Sequence, residues 1–289
     1  MHTVPHLSSR IRLQEYGVCI FSSISTKSAL KKALKKQLIE VNGLTASTAT
    51  WIKGGETITL YSIEGVKPKR PLIFPLKVLF EDEYLAIIHK PAGIEVSGNS
   101  FKTIANALSQ NLNQSNEADA TVPQPVHRLD YATTGLLLVG KTSSSIRALN
   151  KLFEDKGVNK TYYAITIGQM DREGIITASM KGKEAKSHYC IADRVHSDRF
   201  GQLNLVELKP ETGRRHQLRK HLASIGNPIL GDKDYGTEGL ILKGKGLYLH
   251  AYSLEFKHPF TNDKILQIDE LPLKFKKIFP LWDALSQGD

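Results

Sequence analysis

His127-Arg128-Leu129-Asp130 places an imidazole, a guanidinium and a carboxylate within four residues, immediately before the apolar run Leu136-Leu137-Leu138-Val139. A polar segment feeding a buried strand is a loop at a sheet edge, where folds present reactive side chains. An aspartate there has the chemistry of a nucleophile or a general base. Taken alone, however, an Arg two residues before an Asp is more often a structural ion pair. Two further segments carry chemistry-bearing residues. In Lys160-Thr161-Tyr162-Tyr163-Ala164, strand alternation puts Tyr163, Ile165 and Ile167 on one face and Tyr162 with Ala164 and Thr166 on the other. The core claims Tyr163, which leaves Tyr162 for a cleft. The stretch Thr212–Leu222 reads as a basic turn entering a helix, with Leu218, Leu222 and Ile225 as its apolar stripe and Arg219 beside it. A buried arginine demands an anion, because an unpaired charge away from water is costly. His216 and His221 are five residues apart and do not share a helix face as zinc ligands would, so no metal site is expected.

One motif misleads. Gly135-Leu136-Leu137-Leu138-Val139-Gly140-Lys141-Thr142 satisfies the phosphate-loop spacing, and a helix pattern follows it. A phosphate cradle needs a glycine-rich loop with inward backbone N–H groups, preceded by a hydrophobic strand. Here the intervening residues are three leucines and a valine, and the preceding segment is polar. The run is expected to be a buried strand, with no nucleotide cofactor.

The elements that must position these residues follow from periodicity. Strand-like runs at Val78–Phe80, Leu85–His89, Leu136–Val139, Tyr162–Ile167 and Leu203–Leu208 are mixed with helical patterns at Ser143–Lys156 and His216–Ile225. They lack a regular strand-helix alternation, which predicts an α+β domain with a mixed or antiparallel sheet. Ile88-His89-Lys90-Pro91-Ala92-Gly93 reads as a strand stopped by Pro and Gly, and the polar, Asn/Gln-rich stretch Ser109–Gln124 as an exposed, mobile loop.

The N-terminal portion differs in charge. Residues 1–75 hold eleven Lys/Arg against four Asp/Glu, whereas the whole 289-residue chain carries +10. Leu30, Ala33, Leu34 and Leu38 recur at helical spacing and predict an amphipathic helix over Thr26–Glu40, capped by Ser25 or Thr26 and stopped at Val41-Asn42-Gly43. Its other face carries Lys27, Lys31, Lys32, Lys35 and Lys36, a surface suited to a phosphate backbone. A short strand over Gly55–Tyr61 follows, then a Pro-rich basic linker. The expected organisation is a module at 1–65, a linker at 66–75 and a second domain at 76–289. No run reaches the ~18–20 apolar residues of a spanning helix, the first 25 residues lack the apolar core of a signal peptide, and two cysteines, Cys19 and Cys190, are too few for a disulfide framework. A cytoplasmic protein with inert thiols is expected.

Lys27-Ser28-Ala29-Leu30 through Val41-Asn42-Gly43 to Gly54-Gly55-Glu56-Thr57-Ile58 resembles the alpha-L RNA-binding motif. His127-Arg128-Leu129-Asp130 with Thr134-Gly135-Leu136-Leu137-Leu138, Lys160-Thr161-Tyr162 and Thr212–Leu222 running on to Gly231-Asp232 and Tyr235-Gly236 resemble, in the same order, the RluA-type pseudouridine synthases across about residues 76–285. Departures are few: Thr134 stands where many relatives have serine, and Arg215 where a small polar residue is common. The resemblance implies an α+β pseudouridine synthase domain of mixed or antiparallel sheet behind a small α/β RNA-binding module. It implies Asp130, Tyr162 and Arg219 as catalytic residues, with Arg219 as the ion-pair partner of Asp130. Arg128, His127, Leu218 and Arg214 would contact substrate, and the five lysines RNA. Isomerisation of uridine involves no redox step and no net addition, so no cofactor or metal is expected. The implied partner is RNA, ribosomal RNA of the large subunit ahead of transfer RNA, met by a monomeric enzyme. The contrasting reading is a non-catalytic RNA-binding protein, for which Asp130 would be dispensable.

Overall fold

The computed structural model describes residues 1–18, 20–21, 24, 27–61, 72–242 and 244–282. Cys19, the expected cap residues Ser25 and Thr26, and residues 66–71 of the expected linker lie outside the described residues.

The N-terminal portion contains β1 (His2–Thr3), β2 (Ile11–Arg12), α1 (Leu13–Tyr16), α2 (Lys27–Lys35), β3 (Ile39–Val41), β4 (Leu44–Thr45), β5 (Trp51–Ile52) and β6 (Thr57–Leu60). β1, β6, β3 and β4 form one small sheet and β2 pairs with β5. Leu13, Leu30, Leu34, Ile39, Ile52 and Ile58 close a core of their own. The helix is shorter than the spacing predicts. Gln37, in the left-handed region at φ 56°, ends it: its N–H reaches Leu34 O and that of Leu38 reaches Ala33 O, the bonding of a Schellman cap. Ile39 and Val41 then pair with Leu60 and Ile58, so β-branched residues finish as strand what the helical pattern had continued. Asn42-Gly43, at φ 50° and 78°, is a hairpin turn and not a helix stop.

The rest of the chain is built on one sheet. Its strands are β7 (Lys77–Glu81), β8 (Leu85–Lys90), β9 (Ala120–Pro125), β10 (Thr134–Thr142), β11 (Val158–Ile167), β12 (Glu173–Met180), β13 (Lys183–Ser197), β14 (Gly201–Pro210), β15 (Leu249–Lys257) and β16 (Lys264–Ile268). The helices are α3 (Ile104–Ala107), α4 (Ser143–Glu154), α5 (Gln217–Ser224) and α6 (Leu273–Lys276). The order is β12-β13-β14-β11-β15-β10-β8-β7, with β16 added to β15 and β9 to β10. This is the α+β class with a mixed sheet. Among the described residues no helix is long and apolar enough to cross a membrane.

The phosphate-loop look-alike is β10. Leu136 and Leu138 pack toward α4 with Ile146 and Leu149, while Leu137 and Val139 pack on the opposite face with Ile104 and Leu108. Burial on both faces explains the unbroken apolar run. Lys141 is itself buried and bonds Glu81 and the Asp82 carbonyl, so no cation remains for a phosphate. β11 is likewise covered on both sides: Ala164 and Thr166 are as buried as Ile165, so the core claims both faces and not Tyr163's alone.

Two expectations needed correction. Residues 109–124 are not one loose loop: β9 occupies its end, and asparagines fasten the remainder. Asn111 donates to Phe74 O and Ala107 O, while Asn113 and Asn116 bond Glu81 and Glu83. Strands β12 and β16 also escaped the apolar patterns, because alternate residues face solvent; along β16 none is fully buried.

The halves of the sheet meet where β10 runs parallel to β15 through the pairs Thr134↔His250 and Gly135↔Ala251. Gly135 sits at φ 112°, and a Cβ there would lie 2.2 Å from the Ala251 carbonyl oxygen. Gly135→Ala is therefore expected to destabilise the fold by more than about 2 kcal/mol, through both backbone strain and forced separation of the strands. The check is the urea midpoint; an unchanged midpoint would contradict the close approach.

Candidate active site

Asp130 stands on the loop joining β9 to β10. Leu129, buried against Ile88 and Leu137, roots the loop in the core, and a turn closed by Thr133 N–H to Asp130 O fixes its bend. Beneath it lies Lys90, fully buried at the end of β8, whose ammonium donates to the carbonyls of Pro91 (2.9 Å), Tyr131 (3.3 Å) and Thr133 (2.8 Å). Burial pulls its pKa down to about 8, against the opposing charge of Asp130. Sequence reasoning had taken Lys90 for a strand end. The available signal was a lone cation closing the apolar run Leu85–Ile88 directly before a proline.

Arg219 projects from α5 and is nearly inaccessible. Its anion is not primarily Asp130, as the sequence reading had it. Nε and Nη2 grip Asp232 at 2.7 and 2.6 Å, Nη2 also reaches Asp234 at 2.7 Å, and Nη1 stands 4.0 Å from Asp130 Oδ2. Burial would lower the guanidinium's pKa, but hydrogen bonds to Asp232 and Asp234 and the charge of Asp130 more than reverse this, so it is permanently charged. Asp232 and Asp234 are the residues sequence reasoning missed, although Asp232 lay within the segment that carried the resemblance. Arg219 thus presents one edge to Asp130 and is held by its other atoms. His216, in the left-handed conformation at φ 56° before α5, brings Nε2 to 3.8 Å from Asp130 Oδ1 while Nδ1 bonds the Tyr235 hydroxyl at 3.0 Å. Burial lowers its pKa, with Asp130 opposing.

Tyr162 enters from β11, where the register against β15 shifts between Thr161 and Tyr162 and pairs Tyr162 with Ala251. A bulge of this kind re-aims a side chain. Burial, then the charge of Asp130, pushes the phenol's pKa up and keeps it protonated. Tyr162, Asp130, Leu218 and Thr133 line a cavity of about 80 Å³, and Asp130, Tyr131 and His216 border a second of about 180 Å³ on the other side. A third, of about 860 Å³, adjoins the first. Arg128 is exposed and borders all three, and Arg214, whose Nε donates to Glu184 O, lines the first and third.

His127 is the exception among the expected substrate contacts. Its Nε2 accepts the Leu138 amide at 2.9 Å and its ring stacks on Phe153 at 4.8 Å, so the imidazole is committed to holding the loop against β10. Burial, then the nearby Lys160, drives its pKa down to about 3. Lys27, Lys31, Lys32 and Lys35 of α2 and Lys36 just after it are all exposed, distant in sequence from this centre. Among the described residues no three His, Cys, Asp or Glu side chains gather as a metal site.

A carboxylate and a half-buried tyrosine thus stand beside a cavity with cations at its rim. Residues 84–224 match the family described as RNA pseudouridylate synthase. A ribosomal large subunit pseudouridine synthase D of Nitrosomonas europaea is 32% identical over 93% of this chain and 84% of its own, and that of Vibrio cholerae is 32% identical over 88% and 86%. Among solved structures, human RNA pseudouridylate synthase domain containing 4 superposes with a TM-score of 0.56 at 24% identity, covering 72% of this chain and 93% of that one, so the two share a fold. With identity at this level over nearly its whole length, the chain belongs to the RNA pseudouridylate synthases, isomerases that convert uridine to pseudouridine in RNA.

Proposed function

We propose that the substrate is ribosomal RNA of the large subunit and that Asp130 is the carboxylate that acts on it, in the cytoplasm and without a cofactor. The substrate reading is supported by the relatives named for that RNA. The residue assignment is supported above all by one observation: Asp130 lines two cavities while Arg219 stands at 4.0 Å without clamping it.

The reaction breaks the bond from ribose C1′ to uracil N1 and makes one from C1′ to C5. The C5 proton leaves and N1 gains one, so nothing is added or lost overall. A charged Asp130 serves either as nucleophile at C1′ or as base toward the neighbouring ribose proton, and both routes need an ionised carboxylate with an unhindered oxygen. A bidentate arginine would keep it charged but occupied. Because Asp232 and Asp234 satisfy Arg219, Asp130 receives the field of a cation without surrendering both oxygens. Tyr162, held protonated, stacks on the uracil and relays the C5 proton by giving up its own phenolic proton to water as it takes the new one. Leu218 packs against the base, Arg128 fills the space it leaves in the RNA and Arg214 meets a phosphate. Eversion of the base costs a few kcal/mol, which makes loop and single-stranded uridines the natural targets. The lysine face of α2 adds affinity without reading sequence.

Asp130→Asn is expected to abolish pseudouridine formation in an unmodified large-subunit transcript while changing RNA affinity less than about threefold; turnover in that variant would exclude Asp130. Asp232→Asn frees Arg219 to close on Asp130 and is expected to lower kcat by about ten- to a hundredfold with KM nearly kept, as measured by steady-state tritium release from C5. Replacing Lys27, Lys31, Lys32, Lys35 and Lys36 by glutamine should flatten the logarithmic salt dependence of RNA binding by about 0.9 for each lysine that meets a phosphate. An unaltered slope would remove the helix from the interface.

A further inference from the structure

The cleft of about 860 Å³ that adjoins the Asp130 cavity is too large for the one nucleoside undergoing reaction. It shares Arg128, Tyr162, Pro210, Thr212, Gly213 and Arg214 with that cavity and extends from there along β11 toward α4. Within it Lys160 precedes Tyr162 by two residues on β11 and so lies on the same strand face. Its ammonium sits 5.8 Å above the centre of the Phe153 ring, and it makes no hydrogen bond or salt bridge within the described residues. The acidic groups lining the cleft are engaged elsewhere or face solvent. Glu211 is held by Lys186 and His188 at 2.6 Å each and by Lys156 at 3.9 Å, Glu255 by Lys264, and Glu154 is exposed. Burial, then the like charge of Lys156, lowers the pKa of Lys160. A half-buried cation with no carboxylate within ion-pair distance among the described residues is open to an incoming anion. Lys156, Lys209 and Arg214 line the same cleft, so the anion it suits is one charge of a polyanion.

We propose that this cleft seats the RNA strand flanking the everted uridine and that Lys160 receives the phosphate of a neighbouring nucleotide. The proposal rests on the reading that the target uridine lies at Asp130, since continuity of the two cavities is what puts the adjacent backbone here. A compact ammonium over an aromatic ring offers a point charge with rotatable donors, which suits a phosphate oxygen and carries no preference among bases. Lys160 is thus a positioning residue: by fixing the backbone next to the target it sets the ribose against the carboxylate.

Lys160→Met keeps the aliphatic stem over Phe153 and removes only the charge. With the full chain and an unmodified large-subunit ribosomal RNA transcript, KM should rise about tenfold with kcat within about threefold. The logarithmic salt dependence of binding should become less steep by about 0.7 to 0.9. The thermal midpoint of the free protein should stay or rise, because an uncompensated charge has gone, and Lys160→Arg should restore KM. An unchanged KM and salt slope would overturn the proposal, as would a fall in kcat with KM intact, which would tie Lys160 to Tyr162 and not to the backbone. The slope is also measured with Lys160→Met placed in the Asp130→Asn protein, where no turnover is needed. A missing slope difference there removes the phosphate contact alone, whereas persistent turnover of Asp130→Asn removes the reading of the site beneath it.

Discussion

The close approach of Gly135 to Ala251 governs the geometry of the site. Ala251 pairs with Gly135 of β10 on one side and with Tyr162 of β11 on the other, so the three residues lie in one row across the sheet. Asp130 precedes that row by the length of one turn, and the separation of carboxylate from tyrosine is thereby set by strand spacing, not by flexible loops. The next pair, Thr134 with His250, is fastened a second time, the threonine hydroxyl lying 2.8 Å from the imidazole. Burial lowers the pKa of His250 to about 4, with Asp269 opposing, so the imidazole is neutral near pH 7 and the link does not depend on charge.

Around this frame the carboxylate proposed to react, Asp130, is held less tightly than Asp232 beside it. Asp232 accepts two bonds from Arg219 and others from the amides of Asp234 and Tyr235. Lys90 divides its protons among the carbonyl of Pro91 beside it and two carbonyls of the loop it supports, those of Tyr131 and Thr133. Asp130, by contrast, has cationic or ionisable partners at 3.8 and 4.0 Å, beyond hydrogen-bond length. Arg219 faces it through space, and the hydrogen bonds of Arg219 to Asp232 and Asp234 and of His216 to Tyr235 keep either side chain from collapsing onto it. That division between the clamped Asp232 and the unclamped Asp130 could not follow from matching motifs, which put Arg219 directly on Asp130.

What was legible in the sequence was whatever a local period or a contiguous motif records. The unbroken Leu136–Val139 run announced a strand buried on both faces, and its preceding polar segment announced the loop of Asp130. The chemistry of Tyr162 was visible as alternation, although the argument that the core could take only one tyrosine assumed a half-exposed strand that β11 is not. Residues acting through long-range contacts left weaker traces. Lys90 serves backbone carbonyls 41 and 43 residues away, and its role becomes visible only once β8 and β10 are paired. His127 looked chemical because of its neighbours, yet its acceptor nitrogen was claimed by a strand amide eleven residues on. The end of α2 was lost for a related reason: pairing of Ile39 and Val41 with β6 overrode a helical spacing that continued to Leu38.

Arg128 connects the protein's architecture to the deformation of its substrate. Of the cavities it borders, the two that touch Asp130 measure about 80 and 180 Å³, smaller than the ~300–1,000 Å³ of ordinary ligand sites. A nucleoside entering beside Asp130 therefore requires more space than these two cavities hold, and Arg128 borders both. The side chain is exposed and forms no ion pair among the described residues, so turning it aside breaks little. In the proposed reaction its new place is the gap left in the RNA by the everted base, where a planar cation stacks on the neighbouring bases and approaches their phosphates.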